Sequence, residues 1–390
     1  MICAYCGRSE EELLELDDVK YKFTKEHVLP RSLVGSLENN IFTLQNVCGV
    51  CNNLAGSFID APAVRSWFMH MNKAFYDRDH AVITPETILP LVYMGESSTL
   101  KHGDKICDLW IGPTGDSIYH FHLPYPEKKG YPSVVGIPPY LNKKEVDKGF
   151  AIIFVVSNNP EWHPTIFWSF IKKFKGSVLY LGNGDRPAGN VFSSIPEELS
   201  ELHAKLLIHE TQSVNNFITP FSENRFLAKV AIGVGTIFLG ETFAKSESAS
   251  NLRRYMWAKT NEERNGIKLH GTNFYDPGKK KETELVEFFG WEAGHLIAII
   301  NMHDYVSITI TLFNKITASI RIDKGHPEDY NDILDHGICI AIAPAVKKSV
   351  GPFNYFSFIK HKVFHTPIKE LEDIENLLRG RRQNRPAVHI

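Results

Sequence analysis

Two short stretches, Cys3-Ala4-Tyr5-Cys6 and Cys48-Gly49-Val50-Cys51, decide how the N-terminal part of the chain folds. Each is a Cys-x-x-Cys knuckle of the kind that gives two thiolates to one tetrahedral zinc ion. Residues 1–60 contain few large apolar side chains, so a module of this size needs such a staple to fold. A redox pair or chance occurrence is the alternative interpretation. We predict a structural Zn²⁺ site with the ligands Cys3, Cys6, Cys48 and Cys51.

A second motif lies in the segment that the two knuckles enclose. Glu26-His27-Val28-Leu29-Pro30 places an acidic residue directly before a histidine, and Asn52 follows the second knuckle where a helix is expected to open. His27 alone would indicate a solvated histidine, because the chain has 17 histidines. Asn52 alone would indicate a helix cap. Between two knuckles and in this order, the same residues indicate a catalytic site.

Together, the knuckles, Glu26-His27 and Asn52 resemble the HNH nuclease family with its ββα-metal fold, in the zinc-stapled, treble-clef-like variant. The resemblance covers residues 1–60 only and rests on three elements that agree in order and spacing. It implies an endonuclease that hydrolyses DNA phosphodiester bonds. His27 would activate the attacking water, and Glu26 and Asn52 would be catalytic ligands of one divalent cation, Mg²⁺ or Mn²⁺.

The chemistry of the reaction explains these residue types. An imidazole titrates near neutral pH and suits a general base, while a cation neutralises the charge that develops on the phosphate. Hard oxygen ligands suit Mg²⁺ or Mn²⁺ and thiolates suit Zn²⁺, so two metals with separate roles are implied. The family's middle asparagine falls by spacing on Thr43. Asn40 and Asn46 lie on either side, and either could brace the loop that carries the histidine.

The charge of the chain places any DNA contact outside the predicted module. Lys and Arg number 43 and Asp and Glu 45, a net charge of −2, which excludes a protein whose whole surface binds polyanions. Residues 1–60 hold five basic and nine acidic side chains, a net of −4. Because DNA affinity comes mainly from Lys and Arg at phosphates, other segments must supply the charge. The candidates, each of which could equally be a solvated face, are Lys172, Lys173, Lys175, Arg253, Arg254, Lys279, Lys280, Lys281, Arg379, Arg381, Arg382 and Arg385.

Beyond the module, the patterns predict a larger mixed α+β domain with antiparallel hairpins. Alternating apolar residues predict a hairpin of strands 306–312 and 316–322 with one solvated face, and a second strand pair at 106–111 and 117–123. Ser194 and Glu197 are spaced as a capping box for a helix. The apolar run at 226–239 is shorter than the roughly 20 residues that span a bilayer and predicts a buried core helix. Further helices are predicted at 62–76, 225–243, 248–259 and 367–378, the last ending at Gly380.

These patterns divide the chain into an HNH nuclease module at 1–76, a linker at 77–90 and an α+β recognition or regulatory domain at 91–390 with a basic C-terminal tail. The last domain is expected to recognise a ligand, to form a homo-oligomer, or to restrain the nuclease until a small-molecule or protein activator binds. This organisation looks like that of bacterial antiviral defence effectors, an analogy at the level of the fold. Cys107 and Cys339 are expected to be buried core thiols.

The alternative from another class is a non-catalytic zinc-knuckle module that binds nucleic acid or protein. Glu26-His27 is the discriminating feature, because a binding module does not require it. Met1 and Ile2 lead directly into Cys3 without the pattern of a signal peptide. We therefore expect a cytoplasmic protein with DNA as its partner and no membrane association.

Overall fold

A computed structural model describes residues 1–16, 18–38, 40–80, 82, 87–124, 136, 152–156, 159–172, 178–181, 195–208, 213–214, 221–267, 269–274, 282–302, 304–323 and 335–383. The fold is mixed α+β with largely antiparallel sheets, as the coarse prediction states. The chain divides into two compact units, Met1–Val64 with Pro220–Leu378 and Arg65–Thr219 with Arg379–Ile390. The first unit joins the two knuckles to the C-terminal part of the chain, and the domain boundaries at 76 and 90 stay predictions.

The helices are α1 (Glu10–Leu14), α2 (Arg31–Val34), α3 (Gly49–Ala55), α4 (Ala61–Arg65), α5 (Trp67–His80), α6 (His163–Ile171), α7 (Ser200–Leu207), α8 (Phe221–Lys245), α9 (Glu247–Trp257), α10 (Asn261–Asn265), α11 (Glu282–Phe289), α12 (Tyr355–Phe364) and α13 (Lys369–Gln383). The strands are β1 (Phe23–His27), β2 (Thr43–Cys48), β3 (Val92–His102), β4 (Lys105–Ile111), β5 (Ser117–His122), β6 (Ile152–Val156), β7 (Val178–Leu181), β8 (His270–Gly271), β9 (His295–Asn301), β10 (Tyr305–Leu312), β11 (Ile316–Asp323), β12 (Ile338–Ala343) and β13 (Lys348–Asn354).

The N-terminal part of the first unit is a two-stranded hairpin followed by a helix. β1 and β2 pair antiparallel, with Glu26 opposite Leu44 and His27 opposite Thr43. α3 begins directly after Cys48, so the second knuckle forms its first turn. Gly49 is needed there, because a Cβ atom would lie 2.8 Å from the backbone oxygen of Lys20. A π-helical turn, Gly56–Asp60, then continues the helical path into α4.

The C-terminal part of the first unit is a six-stranded sheet in the order β13-β12-β9-β10-β11-β8. The predicted hairpin is confirmed, with β10 and β11 paired from end to end. The prediction of one solvated face is wrong at one end of the hairpin, where Thr309, Thr311 and Thr317 are buried, while Arg321 at the other end is exposed. Thr311 Oγ1 lies 2.9 Å from Thr317 Oγ1 across the strands, so these hydroxyls satisfy one another rather than meeting water.

The core helix α8 crosses the first unit. It is confirmed as a buried helix over the apolar run, and Gly240, with φ +73°, interrupts it in the left-handed region that favours glycine. Gly233 allows a close approach to the hairpin, because a Cβ atom there would lie 2.5 Å from the side chain of Val28. By length and composition α8 is the one helix among the described residues that could cross a membrane, but 67% of its most apolar stretch is buried inside the protein.

Three other helix predictions shift at their ends. The last helix runs to Gln383, because Gly380 meets open space and its φ is not in the left-handed region that would end a helix there. α5 extends to His80, into the predicted linker. Near Pro196 a 3-10 turn at Glu197–Leu199 precedes α7, with Pro196 as the cap residue. Ser194, the other half of the predicted capping box, lies outside the described residues.

The second unit is built on a five-stranded sheet in the order β3-β4-β5-β6-β7, in which only β6 and β7 are parallel. The predicted pairing of the two central strands is confirmed, with Trp110 opposite Ile118. One face packs Trp110 and Ile153 against Phe170 of α6. The other face packs Cys107 and Phe154 against Leu206 of α7. Cys107 and Cys339 are both fully buried, as predicted.

Candidate functional site

The four knuckle cysteines come together in the first unit. The sulfur atoms of Cys3, Cys6, Cys48 and Cys51 all lie within 4.8 Å of one another, and all four are free thiols. The backbone N–H of Cys48 points at Sγ of Cys3 at 3.4 Å. Gly7 closes the first knuckle with φ +76°. The cluster could hold a structural metal such as zinc, whose preferred environment is four tetrahedral thiolates.

The four thiols lie close enough to shift one another's pKa. Cys48, Cys51 and Cys6 donate hydrogen bonds to its sulfur, in that order of effect, and lower the pKa of Cys3. The pKa of Cys51 is raised in turn, mainly by its hydrogen bond to Cys3. A cation bound between the four sulfurs would replace these hydrogen bonds, since metal binding to cysteines releases their protons.

Helix α9 holds the first knuckle in place. Arg253 Nε donates to the oxygen of Ala4 at 2.8 Å, and Trp257 Nε1 donates to the oxygen of Tyr5 at 2.8 Å. Burial lowers the pKa of Arg253, while the neighbouring Cys3 and Cys6 act in the opposite direction. The guanidinium therefore lies where it would compensate negative charge on the cysteine cluster. Arg253, one of the basic residues considered above for DNA, is used inside the protein.

His27 lies at the end of β1 between an amide and a guanidinium. Its Nδ1 is 2.8 Å from Nδ2 of Asn40, and its Nε2 is 3.2 Å from Nη2 of the exposed Arg31. Asn40 is fixed by the N–H of Phe42, which donates to Oδ1 at 3.0 Å. Thr43, at the family's middle position, donates through Oγ1 to the Asn40 backbone oxygen at 3.1 Å. Asn40 thus braces His27, whereas Asn46 donates to the oxygen of Ile2.

The environment of His27 favours the neutral ring. Its pKa is lowered from the usual value, first by burial and then by the positive charges of Arg31 and Lys25. A histidine that is neutral near pH 7 can accept a proton in a reaction. His27 is half-buried, so part of the residue remains exposed to solvent.

Glu26 faces the opposite way and binds Lys229 of α8. Successive side chains of a strand point to opposite faces, and Glu26 is 5% exposed. Its Oε1 lies 2.7 Å from Lys229 Nζ, and Tyr5 donates its hydroxyl to the same oxygen at 3.1 Å. Lys229 has no exposed surface and also donates to the oxygens of His27 and Val28, each at 3.3 Å. One buried ammonium therefore ties the strand that carries His27 to the core helix.

The second carboxylate on this ammonium belongs to Asp60. Its Oδ2 lies 2.8 Å from Lys229 Nζ, while its Oδ1 is buried and has no hydrogen-bond partner among the described residues. The π-helical turn directs Asp60 into the protein, and its side chain is only 13% exposed. Two carboxylates share one ammonium, so the cluster of Glu26, Asp60 and Lys229 has a formal charge of −1. We call these three residues the lysine cluster.

Asn52 lies in α3 beside β1. Its Nδ2 donates to Thr24 Oγ1 at 3.0 Å and to the oxygen of Lys25 at 3.1 Å, which leaves Oδ1 without a partner among the described residues. This amide oxygen fits a Mg²⁺ or Mn²⁺ ligand. Glu26 does not fit in the same way, since Lys229 already neutralises it. Among the described contacts, no hydrogen bond joins the side chains of Glu26, His27 and Asn52 to one another.

The lysine cluster predicts a pH dependence of stability. Burial, the largest effect, raises the pKa of Asp60 to about 6 although Lys229 opposes it. The folded protein therefore binds a proton at Asp60 that the unfolded chain, with a pKa near 4, has released, so the free energy of unfolding falls as the pH rises from about 4 to about 6. In the wild type this decrease in the free energy of unfolding between pH 4 and pH 6 should be on the order of 1–3 kcal/mol, and we expect Asp60→Asn to abolish it. Urea denaturation at pH 4, 5, 6 and 7 measures it.

A matched control uses Asp104, whose side chain is 74% exposed. Asp104→Asn should leave the difference in unfolding free energy between pH 4 and pH 6 as it is in the wild type. An Asp60→Asn protein with an unchanged pH profile would contradict the assignment of the buried proton.

The other basic candidates have varied positions. Lys172 follows α6, while Arg254 is exposed on α9 and lies 3.5 Å from Asn251 Oδ1. Arg382 Nη2 lies 2.6 Å from His80 Nε2 in the second unit. Arg379 and Arg381 also lie on α13. Lys173, Lys175, Lys279, Lys280, Lys281 and Arg385 lie outside the described residues.

Sequence reasoning missed Lys229, Asp60 and a second cluster in the second unit, Asp108, His120 and His122. Lys229 is more than 160 residues from its partners in the chain, so no local pattern connects them. A signal did exist for the last group, because His120 and His122 alternate along a strand that was itself predicted.

Compared with known proteins, the chain matches no family model, no curated protein and no solved structure.

Proposed function

We propose that the first unit is a metal-dependent HNH endonuclease that hydrolyses DNA phosphodiester bonds, with His27 as the general base. The observation that carries the proposal is the setting of His27. Asn40 Nδ2 lies 2.8 Å from Nδ1, the exposed Arg31 faces Nε2, and burial lowers the pKa of His27, which favours the neutral ring. A braced, neutral, solvent-accessible imidazole is what proton abstraction from water requires.

In this proposal the Asn40 amide turns from the Phe42 N–H so that its Oδ1 accepts a hydrogen bond from His27 Nδ1, which places the hydrogen of the neutral ring on Nδ1 and leaves Nε2 as the nitrogen that takes the proton. It is the ring nitrogen opposite the one that Asn40 holds. Arg31 can only donate hydrogen bonds, and guanidinium groups pair well with phosphate oxygens. A phosphate of the substrate would draw Arg31 away from the ring and leave Nε2 facing the attacking water. Arg31 then neutralises the phosphate while His27 receives the proton.

The cation ligands follow the same reasoning. When bound, Mg²⁺ or Mn²⁺ would neutralise the charge on the phosphate and on the leaving oxygen. Asn52 would hold the cation through Oδ1, and Glu26 could join it only if its carboxylate parted from Lys229. Zn²⁺ on the four thiolates would be a scaffold, since it fixes both β2 and the start of α3. A defence role, with the rest of the chain sensing an activator, belongs to the same proposal.

Substitution of His27 tests the proposal. We expect the wild type to cleave supercoiled plasmid in the presence of Mg²⁺ or Mn²⁺ and His27→Ala to be slower by about 10²–10⁴-fold, the contribution of a positioned general base. Asn40→Ala should lower the rate with the zinc content unchanged, because it removes the brace and not the base. Initial rates across a pH series measure both effects.

The control for this test is His336→Ala, which removes an exposed histidine of the same unit and should keep the wild-type rate. Equal rates for His27→Ala and the wild type would overturn the assignment of the base.

A second candidate is a zinc-knuckle module that binds nucleic acid or protein without cutting. One observation favours it, because Glu26 forms a buried ion pair with Lys229 inside the protein. This candidate predicts DNA binding that is equal in the wild type and in His27→Ala, with no cleavage in any metal. Filter binding and cleavage measured on the same samples separate the two functions.

A further inference from the structure

A second group of metal-ligating side chains lies in the sheet of the second unit. Asp108 on β4 is the cross-strand partner of His120 on β5, and His122 follows two residues later. Cross-strand partners and i, i+2 neighbours share one face of a sheet, so all three side chains lie together. They are 0%, 0% and 4% exposed, which is rare for three such groups.

The three potential ligand atoms of this group lie close together. The three ligand atoms all lie within 4.8 Å of one another, and His122 Nε2 is 3.1 Å from Asp108 Oδ2. Bonds of about 2.1 Å place neighbouring ligand atoms about 3.0 Å apart in an octahedron and about 3.4 Å apart in a tetrahedron. The observed pair falls inside that interval without any movement.

The surroundings orient the ligands. His122 Nδ1 lies 2.7 Å from the backbone oxygen of Leu123. A carbonyl oxygen only accepts, so Nδ1 donates to it, and Nε2 is the ring nitrogen that faces Asp108. Tyr93 donates its hydroxyl towards the other carboxylate oxygen at 3.4 Å. Ligating histidines usually have such a fixed second nitrogen, and ligating carboxylates are usually hydrogen-bonded.

Electrostatics favours a cation over a shared proton. A buried carboxylate in an apolar face of a sheet requires compensation, and the ring of Phe170 lies only 6.1 Å from that of His120. One proton shared between Asp108 and His122 would involve only two of the three side chains. A metal ion would use all three, and would also explain why the rings of His120 and His122 lie 4.6 Å apart.

We infer that Asp108, His120 and His122 form a structural metal site that binds a divalent first-row transition ion, with Zn²⁺ as the expected occupant. Two imidazoles and one carboxylate suit such ions, whereas Mg²⁺ and Ca²⁺ prefer oxygen ligands throughout. Glu96 lies opposite Asp108 on β3, and it or a water would complete the coordination. Burial of all three ligands argues for a closed site that cross-links β4 and β5. The inference does not depend on the proposed nuclease.

Metal content of the full chain tests the site. After dialysis against ZnCl₂ and removal of loose metal, the wild type should hold about two zinc ions per chain, one on the four thiolates and one here. His120→Gln and Asp108→Asn should each hold about one, and the thiolate-to-cobalt absorption of the Co²⁺-loaded protein should be retained in both. His102→Gln, which changes a histidine on β3 outside the group, should keep both ions. Two ions in His120→Gln would overturn the site.

A measurement on the wild type alone tests the site even if the variants do not fold. The zinc X-ray absorption spectrum should require sulfur at about 2.3 Å together with nitrogen or oxygen at about 2.0–2.1 Å. A spectrum that sulfur alone fits in the zinc-saturated protein would overturn the inference. Failure of plasmid cleavage would leave this result unaffected, so the two proposals are separable.

Discussion

Cys48→Ser is expected to release the metal of the cysteine cluster and to unfold the N-terminal part of the first unit. The sulfur of Cys48 lies among three other thiols, and the same residue ends β2 and caps α3. Structural zinc in small modules contributes about 10–16 kcal/mol of apparent binding free energy, which is comparable to the whole stability of a typical domain. A hydroxyl does not replace the thiolate, so we expect loss of one zinc ion per chain and loss of the hairpin fold.

Zinc content and limited proteolysis of the first 60 residues measure this outcome. Cys339→Ala is the matched control, because Cys339 is a fully buried thiol of the same unit that lies outside the cysteine cluster. It should keep its zinc and lose only the small packing contribution of one sulfur. A Cys48→Ser protein with wild-type zinc content and protease resistance would contradict the role of the cluster.

Local sequence patterns predict much of the fold. The alternation from Val306 to Ile322 predicts both strands of a hairpin, because each apolar side chain must reach the same buried face. The same pattern predicts a solvated opposite face, because threonine counts as polar. The hydroxyls of Thr311 and Thr317 instead form a hydrogen bond with each other inside the protein. The spacing of two Cys-x-x-Cys pairs likewise predicts a cluster, because four thiolates can converge only when a hairpin folds between them.

The charge network of the site could not be predicted from local patterns. In the sequence, Lys229 is a single charged residue within an apolar run. Only tertiary packing brings it next to Glu26 and Asp60. Asp60 reads as a helix-end residue until the π-helical turn is known. Arg253 likewise reads as part of a basic pair, although its guanidinium supports the first knuckle. In each case the deciding contact joins residues that are far apart in the chain.

Lys229→Met is expected to cost about 3–5 kcal/mol of unfolding free energy, the usual effect of removing one partner from a buried ion pair. The methionine would leave Glu26 and Asp60 buried without their counter-charge, and it would remove donors from the oxygens of His27 and Val28. Urea denaturation at pH 7 measures the loss. Lys245→Met on the same helix is the control, because Lys245 forms an exposed pair with Glu241 that should be worth less than about 1 kcal/mol.

A triple variant separates charge from position. Lys229→Met combined with Glu26→Gln and Asp60→Asn removes the uncompensated carboxylates, so much of the lost stability should return. The donors to the backbone oxygens of His27 and Val28 would still be missing. If Lys229 also positions the base, the triple variant should be stable but slow in plasmid cleavage, with the pH profile of the rate displaced. A triple variant as unstable as Lys229→Met would show that the hydrogen bonds to the backbone oxygens of His27 and Val28, rather than the pairing of charges, hold α8 against the hairpin.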